Sequence, residues 1–235
     1  MIKLSKRLQQ IADFVPLGTK IADIGTDHAL LPCYLVQEKI SPWAIATDVN
    51  KGPLEVAKRQ VKALLLADRV AVRLGDGLEP IEPLEVETVI ISGMGGATIK
   101  NILDKSPEVT KGLQRLILQP NVAAWLVRSW ALENGWKIVD EELIYEDEKY
   151  YEVIVLEPGK MEIKDQVYLT IGPKLLEKYH INLVPYLKSQ WQKEQELLTH
   201  LENINKEETR LKVQAIREEW DKIRRVISCH LNVEI

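Results

Sequence analysis

From residue 20 to residue 134, short apolar runs alternate with helix-like stretches, and this alternation restricts the fold more than any other feature. Lys20–Gly25, Trp43–Val49, Val70–Leu74, Thr88–Ser92 and Arg115–Gln119 have the length and β-branched content of buried strands. Helical periodicity is expected near His28–Gln37, near Thr98–Leu103 and over Val122–Asn134, where Gly135 ends it. A further helix opens at Pro53, with Leu54, Ala57, Val61, Leu64 and Leu65 on one face. Before all of these, Leu4, Leu8, Ile11 and Val15 predict an amphipathic helix over Lys3–Val15. Such alternation builds βαβ units and therefore a parallel sheet with right-handed crossovers. Then the pattern changes. Trp136–Ile144 and Tyr150–Leu156 are strand-like runs joined only by Tyr145–Lys149, which predicts a hairpin and an antiparallel last strand. The expected fold is α/β: a Rossmann-like, seven-stranded sheet with its final strand reversed.

Pro158-Gly159 closes that region, so a first domain is expected over 1–159 and a second over 160–235. The second reads as two polar helices, Pro173–Asn203 (broken at Pro185) and Glu207–Ile227, turning at Asn203-Ile204-Asn205. Leu187, Trp191, Leu198 and Leu201 face Ile216, Trp220, Ile223 and Ile227 across an apolar seam, giving an antiparallel helical hairpin.

Composition removes several classes of function. No apolar run reaches the roughly 18 residues of a membrane span, and the first 15 residues lack a secretory pattern. Two cysteines, Cys33 and Cys229, and four scattered histidines make neither a disulfide framework nor a metal cluster, so no metal is expected. The chain reads as soluble and cytoplasmic. Net charge is −4 overall, so a nucleic-acid partner would have to be held by a local patch. Nothing in the sequence sets an oligomeric state.

Ligands of open parallel sheets sit beyond the carboxyl ends of the strands. The first such turn is Asp23-Ile24-Gly25-Thr26-Asp27-His28-Ala29. A dinucleotide site would place a second glycine where Asp27 stands, and a carboxylate there repels pyrophosphate while suiting a cationic ligand. Gly25 taken alone is equally well explained as a plain strand-to-helix turn. Asp48 ends the second strand, where a carboxylate accepts from ribose hydroxyls; capping of the next helix is the competing role, for which Asn50 is better placed. Asp76-Gly77 follows the third strand, where a carboxylate accepts from an adenine amino group, although Asp-Gly is also an ordinary turn. Three acids at three consecutive strand ends describe a pocket for a nucleoside without phosphates. Ser92-Gly93-Met94-Gly95-Gly96 implies close backbone approach after the fourth strand. Asn121 after the fifth is placed either to cap the next helix or to turn its amide toward a flat base.

In LSKRL, DIGTDHALLP, ISGMGG, RLILQPN and KYYEVIVLEPG the chain resembles class I S-adenosylmethionine-dependent methyltransferases. Within them it is most similar to the bacterial tRNA (adenine-N1)-methyltransferases of the TrmK type, which modify the adenine at position 22 of tRNA. The resemblance covers almost the whole chain. It implies S-adenosyl-L-methionine as cofactor and tRNA as partner. It puts Gly25, Asp27 and His28 around the methionine part, Asp48 on the ribose and Asp76 with Gly77 on the adenine. Arg7, Asp23, Ser92 and Gly93 complete the expected cofactor site, while Asp27, His28 and Asn121 are the expected catalytic set. Relative to the wider glycine-rich pattern, Asp27 and Ala29 occupy later glycine positions. Ser92–Gly96 also replaces the Asp/Asn-Pro-Pro-aromatic run of adenine-N6 methyltransferases, which favours attack by a ring nitrogen. Lys212, Arg217, Lys222, Arg224 and Arg225 put basic groups along the last helix, a pattern that is by itself usually a solvated face; the resemblance makes the helical hairpin the expected tRNA contact. A methyltransferase for a protein or small molecule, a nicotinamide-dependent oxidoreductase and a non-enzymatic RNA-binding adaptor are the alternatives. The aspartate in the first turn disfavours the oxidoreductase.

Overall fold

A computed structural model describes residues 2–163, 165–204 and 206–235. The chain divides into two compact units, Met1–Glu162 and Ile163–Ile235.

In the first unit the elements run α1 (Lys6–Asp13), β1 (Ile21–Ile24), α2 (Leu30–Gln37), β2 (Ala44–Asp48), α3 (Lys51–Ala63), β3 (Val70–Leu74), β4 (Thr88–Met94), α4 (Gly96–Lys105), α5 (Pro107–Lys111), β5 (Arg115–Pro120), α6 (Ala124–Glu133), β6 (Trp136–Glu146) and β7 (Lys149–Pro158). The strands form one seven-stranded sheet in the order β3-β2-β1-β4-β5-β7-β6. The first five are mutually parallel, and β7 runs antiparallel to both β5 and β6. The expected sheet with its reversed final strand is therefore present. β1, β2 and β5 are covered on both faces, which is why their sequences are unbroken apolar runs rather than alternating ones. Ile21, Ala46, Ile90, Ile117 and Val155 belong to one core that also receives Ile11 of α1 and Leu35 of α2.

Strand order reverses between β1 and β4, and the crevice at that reversal is where such sheets bind ligands. Its floor is set by register. Asp23 pairs with Ala46 and Asp48 with Leu74, so Asp23 lies two rows inside the tip that Asp48 occupies. Asp76 lies two residues beyond Leu74. The three acids thus form a staircase rather than a row of strand tips.

Several local expectations are corrected. The second helix begins at Leu30, because His28 and Ala29 both take left-handed backbone (φ 58° and 52°) that no helix accepts. α3 begins at Lys51, with Pro53 in its first turn, where a missing N–H is harmless. Asn50 occupies the cap position there but makes no side-chain cap bond. Asn121 caps nothing. Ala123, at φ 55°, precedes α6, and the Asn121 side chain is used elsewhere. The β6–β7 loop is only Asp147-Glu148, both left-handed (φ 49° and 60°), so the strands run further than their apolar runs suggest.

The second unit contains α7 (Val167–Ile171), α8 (Pro173–Glu177), α9 (Leu183–Glu202) and α10 (Glu207–Leu231). The break in the expected Pro173–Asn203 helix falls after Glu177, where Tyr179 is left-handed, and not at Pro185, which sits in the first turn of α9. The expected turn includes Asn205, which lies outside the described residues. Leu187 and Leu198 of α9 and Trp220, Ile223 and Ile227 of α10 are buried. The Trp191 and Trp220 rings lie 5.1 Å apart, and the Arg224 guanidinium stacks 4.2 Å from the Trp191 ring centre.

Candidate active site

Every predicted site residue of the first unit stands on α1 or on a loop or strand end at the carboxyl edge of the sheet. Gly25 takes φ 71°, and a Cβ there would come within 2.3 Å of Met94 Cε, so the first turn and the β4 loop touch through a glycine. A side chain at Gly96 would approach the Ala123 carbonyl oxygen to 2.2 Å, which is how the start of α4 fits against the entry to α6.

Asp23 is buried and accepts a 2.6 Å hydrogen bond from the Thr26 hydroxyl. Burial pushes its carboxyl up to about 6, against the lowering pull of Thr26 and Arg7, while Asp27 adds to the rise. A carboxyl raised in the folded state stabilises the fold below its unfolded value, and that contribution is lost as pH rises from about 4 to about 6. Asp23→Asn is therefore expected to be more stable than the parent chain at pH 7.5 by on the order of 2 kcal/mol, with the difference closing by pH 4. Urea denaturation at the two pH values checks this. Equal midpoint differences at both would show that Asp23 carries no burial penalty.

Asp27 and His28 lie outward on the same turn, with His28 Nε2 2.9 Å from the Asp27 carboxylate and both side chains at least half exposed. Asp48 is partly buried, and its Oδ1 accepts from the Asn50 N–H at 2.6 Å. Its second carboxylate oxygen has no part in that bond. Asp76 is half exposed and paired with Lys105 at 3.0 Å. Gly77 is left-handed (φ 57°) and backed by Ile102, 2.9 Å from a would-be Cβ.

On the far side of the crevice a connected polar network appears that the sequence does not announce. Arg7 Nη1 donates to Gln119 Oε1 at 2.7 Å, and the guanidinium carbon lies 5.3 Å from the Tyr151 ring centre. The Gly93 N–H donates to the same oxygen at 3.2 Å. Gln119 Nε2 donates to Asn121 Oδ1 at 3.1 Å, and Asn121 Nδ2 donates to the Gly93 carbonyl at 2.8 Å. Glu146 holds α1 in place by accepting from the Lys6 N–H at 2.7 Å. Gln119 and Glu146 were not among the predicted residues. The partners they find on α1 are more than a hundred positions away, although a buried glutamine ending the run Arg115–Gln119 was a visible signal.

The donor set suits a cationic nucleoside. Three carboxylates approach the crevice at different depths, and the turn that would receive a pyrophosphate carries Asp27 instead. Among the described residues no cluster of His, Cys, Asp and Glu is arranged to hold a metal ion, and no helix is long and apolar enough to cross a membrane.

Comparison with known proteins agrees with this chemistry. Residues 4–154 match a family described as a methyltransferase domain. The tRNA (adenine(22)-N(1))-methyltransferase of Bacillus subtilis (strain 168) is 44% identical over 172 residues, covering 73% of this chain and 72% of that protein. The crystal structure of the B. subtilis M1A22 tRNA methyltransferase TrmK superposes with a TM-score of 0.90 at 35% identity, covering 97% of this chain and 100% of the other. Streptococcus pneumoniae Sp1610 in complex with S-adenosyl-L-methionine gives a TM-score of 0.80 at 36% identity over 92% of this chain and 99% of that one.

Proposed function

This chain belongs to the TrmK-type tRNA (adenine-N1)-methyltransferases, and from that premise we propose how its residues divide the work. The enzyme methylates N1 of adenine 22 in tRNA with S-adenosyl-L-methionine as cofactor. The observation that carries this reading is a likeness that extends through both units to an enzyme of that name. With tRNA as its substrate, we assign the enzyme to the cytoplasm.

In our assignment Asp48 accepts from the ribose hydroxyls, and Asp76 with Gly77 receives the adenine. The turn carrying Gly25, Asp27 and His28 surrounds the methionine part. Asp23, beneath that turn, fixes its shape through Thr26. Arg7, Ser92 and Gly93 close the opposite wall. The bound cofactor supplies an electrophilic sulfonium methyl. Adenine N1 already exposes a lone pair, so no base is required to unmask it; the protein's contribution is alignment and exclusion of water. N1 is inaccessible in a paired or stacked base, so the target nucleotide is extruded into the crevice. The methylated base is cationic, and a carboxylate near it lowers the barrier. We assign that role to Asp27, oriented by His28.

Asp27→Ala is accordingly expected to reduce methyl transfer by roughly tenfold to a thousandfold, a loss measurable in single-turnover assays. Full turnover with unchanged cofactor affinity would remove Asp27 from the mechanism. The reading as a whole is tested by incubating unmodified tRNA with labelled cofactor and mapping the modified nucleotide. N1-methyladenine at position 22 is expected; label in a different base, or none, would refute it.

A further inference from the structure

The network beneath Asn121 has a property that its bond lengths alone do not convey: its polarity is forced. The Arg7 guanidinium and the Gly93 N–H can only donate, so the Gln119 atom they share is its oxygen. The Gly93 carbonyl can only accept, so the Asn121 atom facing it is the amide nitrogen. Gln119 Nε2 is then left to meet Asn121 Oδ1, as observed at 3.1 Å. Gln119 is completely buried, whereas Asn121 is exposed at the crevice. After these bonds Asn121 still holds one N–H and one carbonyl lone pair. A carboxamide is the natural partner of the N7 acceptor and N6 donor of adenine, and guanine presents an acceptor in place of that N6 donor. Contacts at N6 and N7 leave N1 free to attack.

We propose that Gln119 is a positioning residue that locks the polarity of the Asn121 carboxamide, so that Asn121 reads the N6 and N7 groups of the target adenine while N1 faces the cofactor. This rests on the functional reading above. A free amide could turn over and set donor against donor; here an inverted Asn121 would face its own nitrogen to Gln119 Nε2 and its oxygen to the Gly93 carbonyl, and Gln119 cannot turn to suit it without taking the acceptor away from Arg7 and the Gly93 N–H.

The test compares full-length variants in single-turnover methylation of a tRNA transcript. Gln119→Glu keeps an acceptor for Arg7 and Gly93 but opposes Asn121 Oδ1 with a second oxygen. It is expected to slow methyl transfer roughly tenfold to a hundredfold, with cofactor affinity and melting midpoint close to the parent. Because Gln119 acts through Asn121, the double variant with Asn121→Ala should be no slower than Asn121→Ala alone. Gln119→Met, similar in volume and without polarity, should show the same non-additivity. In the parent enzyme, 7-deazaadenosine at the target position should slow transfer, and Asn121→Ala should be indifferent to it. A parent-like rate for Gln119→Glu, losses that multiply in the double variants, or indifference of the parent enzyme to 7-deazaadenosine would overturn the proposal while N1-methyladenine formation by the parent enzyme stands. A parent chain that forms no N1-methyladenine overturns the functional reading and this proposal together.

Discussion

Replacing Arg128 with methionine is expected to destabilise the first unit by about 3–5 kcal/mol. Arg128 is fully buried in α6, with Nε 2.6 Å from the Glu141 carboxylate and Nη2 2.5 Å from that of Glu152. Burial alone would push its guanidinium down, but the two flanking carboxylates outweigh that and hold it above its ordinary value. The charges arrive from three elements, since Glu141 lies on β6 and Glu152 on β7. Methionine fills much of the volume but leaves two buried carboxylates without their cation. Lysine keeps the charge and loses the planar fork that reaches both, so Arg128→Lys should fall between. The expected drop in melting midpoint for Arg128→Met is about 10 °C, and urea unfolding gives the free energy directly. A loss below 1 kcal/mol would mean that the two glutamates are neutral or hydrated in the folded protein. Because α6 follows the Asn121 loop, the same variant is expected to weaken methyl transfer as well.

A chain ending at Glu162 is expected to bind S-adenosyl-L-methionine as the full chain does and to methylate tRNA at a level below detection. The first unit contains the sheet, its crevice and every residue assigned to the cofactor. Extruding a base from folded RNA costs a few kcal/mol, and that free energy must come from contacts outside the crevice. We assign those contacts to the helical unit. Its basic residues are less available than their number suggests. Arg217 pairs with Glu202, Arg224 with Asp221 and the Trp191 ring, and Arg225 donates to the Asp221 carbonyl; Arg217 and Arg225 are exposed, as are Lys212 and Lys222. Phosphate contacts from a few lysines, together with recognition of shape, fit that distribution better than a continuous basic stripe. Calorimetry with the cofactor and a methylation assay on tRNA read the two activities separately. Undiminished tRNA methylation by the short chain would refute the division; lost cofactor binding would show that the crevice needs the helical unit.

Local chemistry made much of the candidate site legible. Asp48, Asp76-Gly77 and the Gly25–Asp27 turn are recognisable because each sits where an apolar run stops, and the end of a run is a property of neighbouring residues. The helix boundaries at His28, Asn121 and Pro185 were less legible. Left-handed backbone at His28, Ala29 and Ala123 has no glycine to announce it, and at Ala29, which is completely buried, it is enclosed by surrounding packing. Asn121 has the composition of a cap, yet its amide is drawn to the Gly93 carbonyl across the β4–β5 boundary.

The amino-acid order by itself determined the seven strands and the main helices between them, that the last strand reverses, and that carboxylates rather than a second glycine stand where the crevice opens. All of these follow from periodicity and side-chain type within some ten residues. Only the tertiary structure decided that Asp23 is buried two rows below Asp48, that Arg7 reaches Gln119 over 112 positions of chain, and that Arg128 lies between two glutamates. Depth, polarity and charge pairing depend on which strands become neighbours, and the order β3-β2-β1-β4-β5-β7-β6 is set by the packing of the whole sheet.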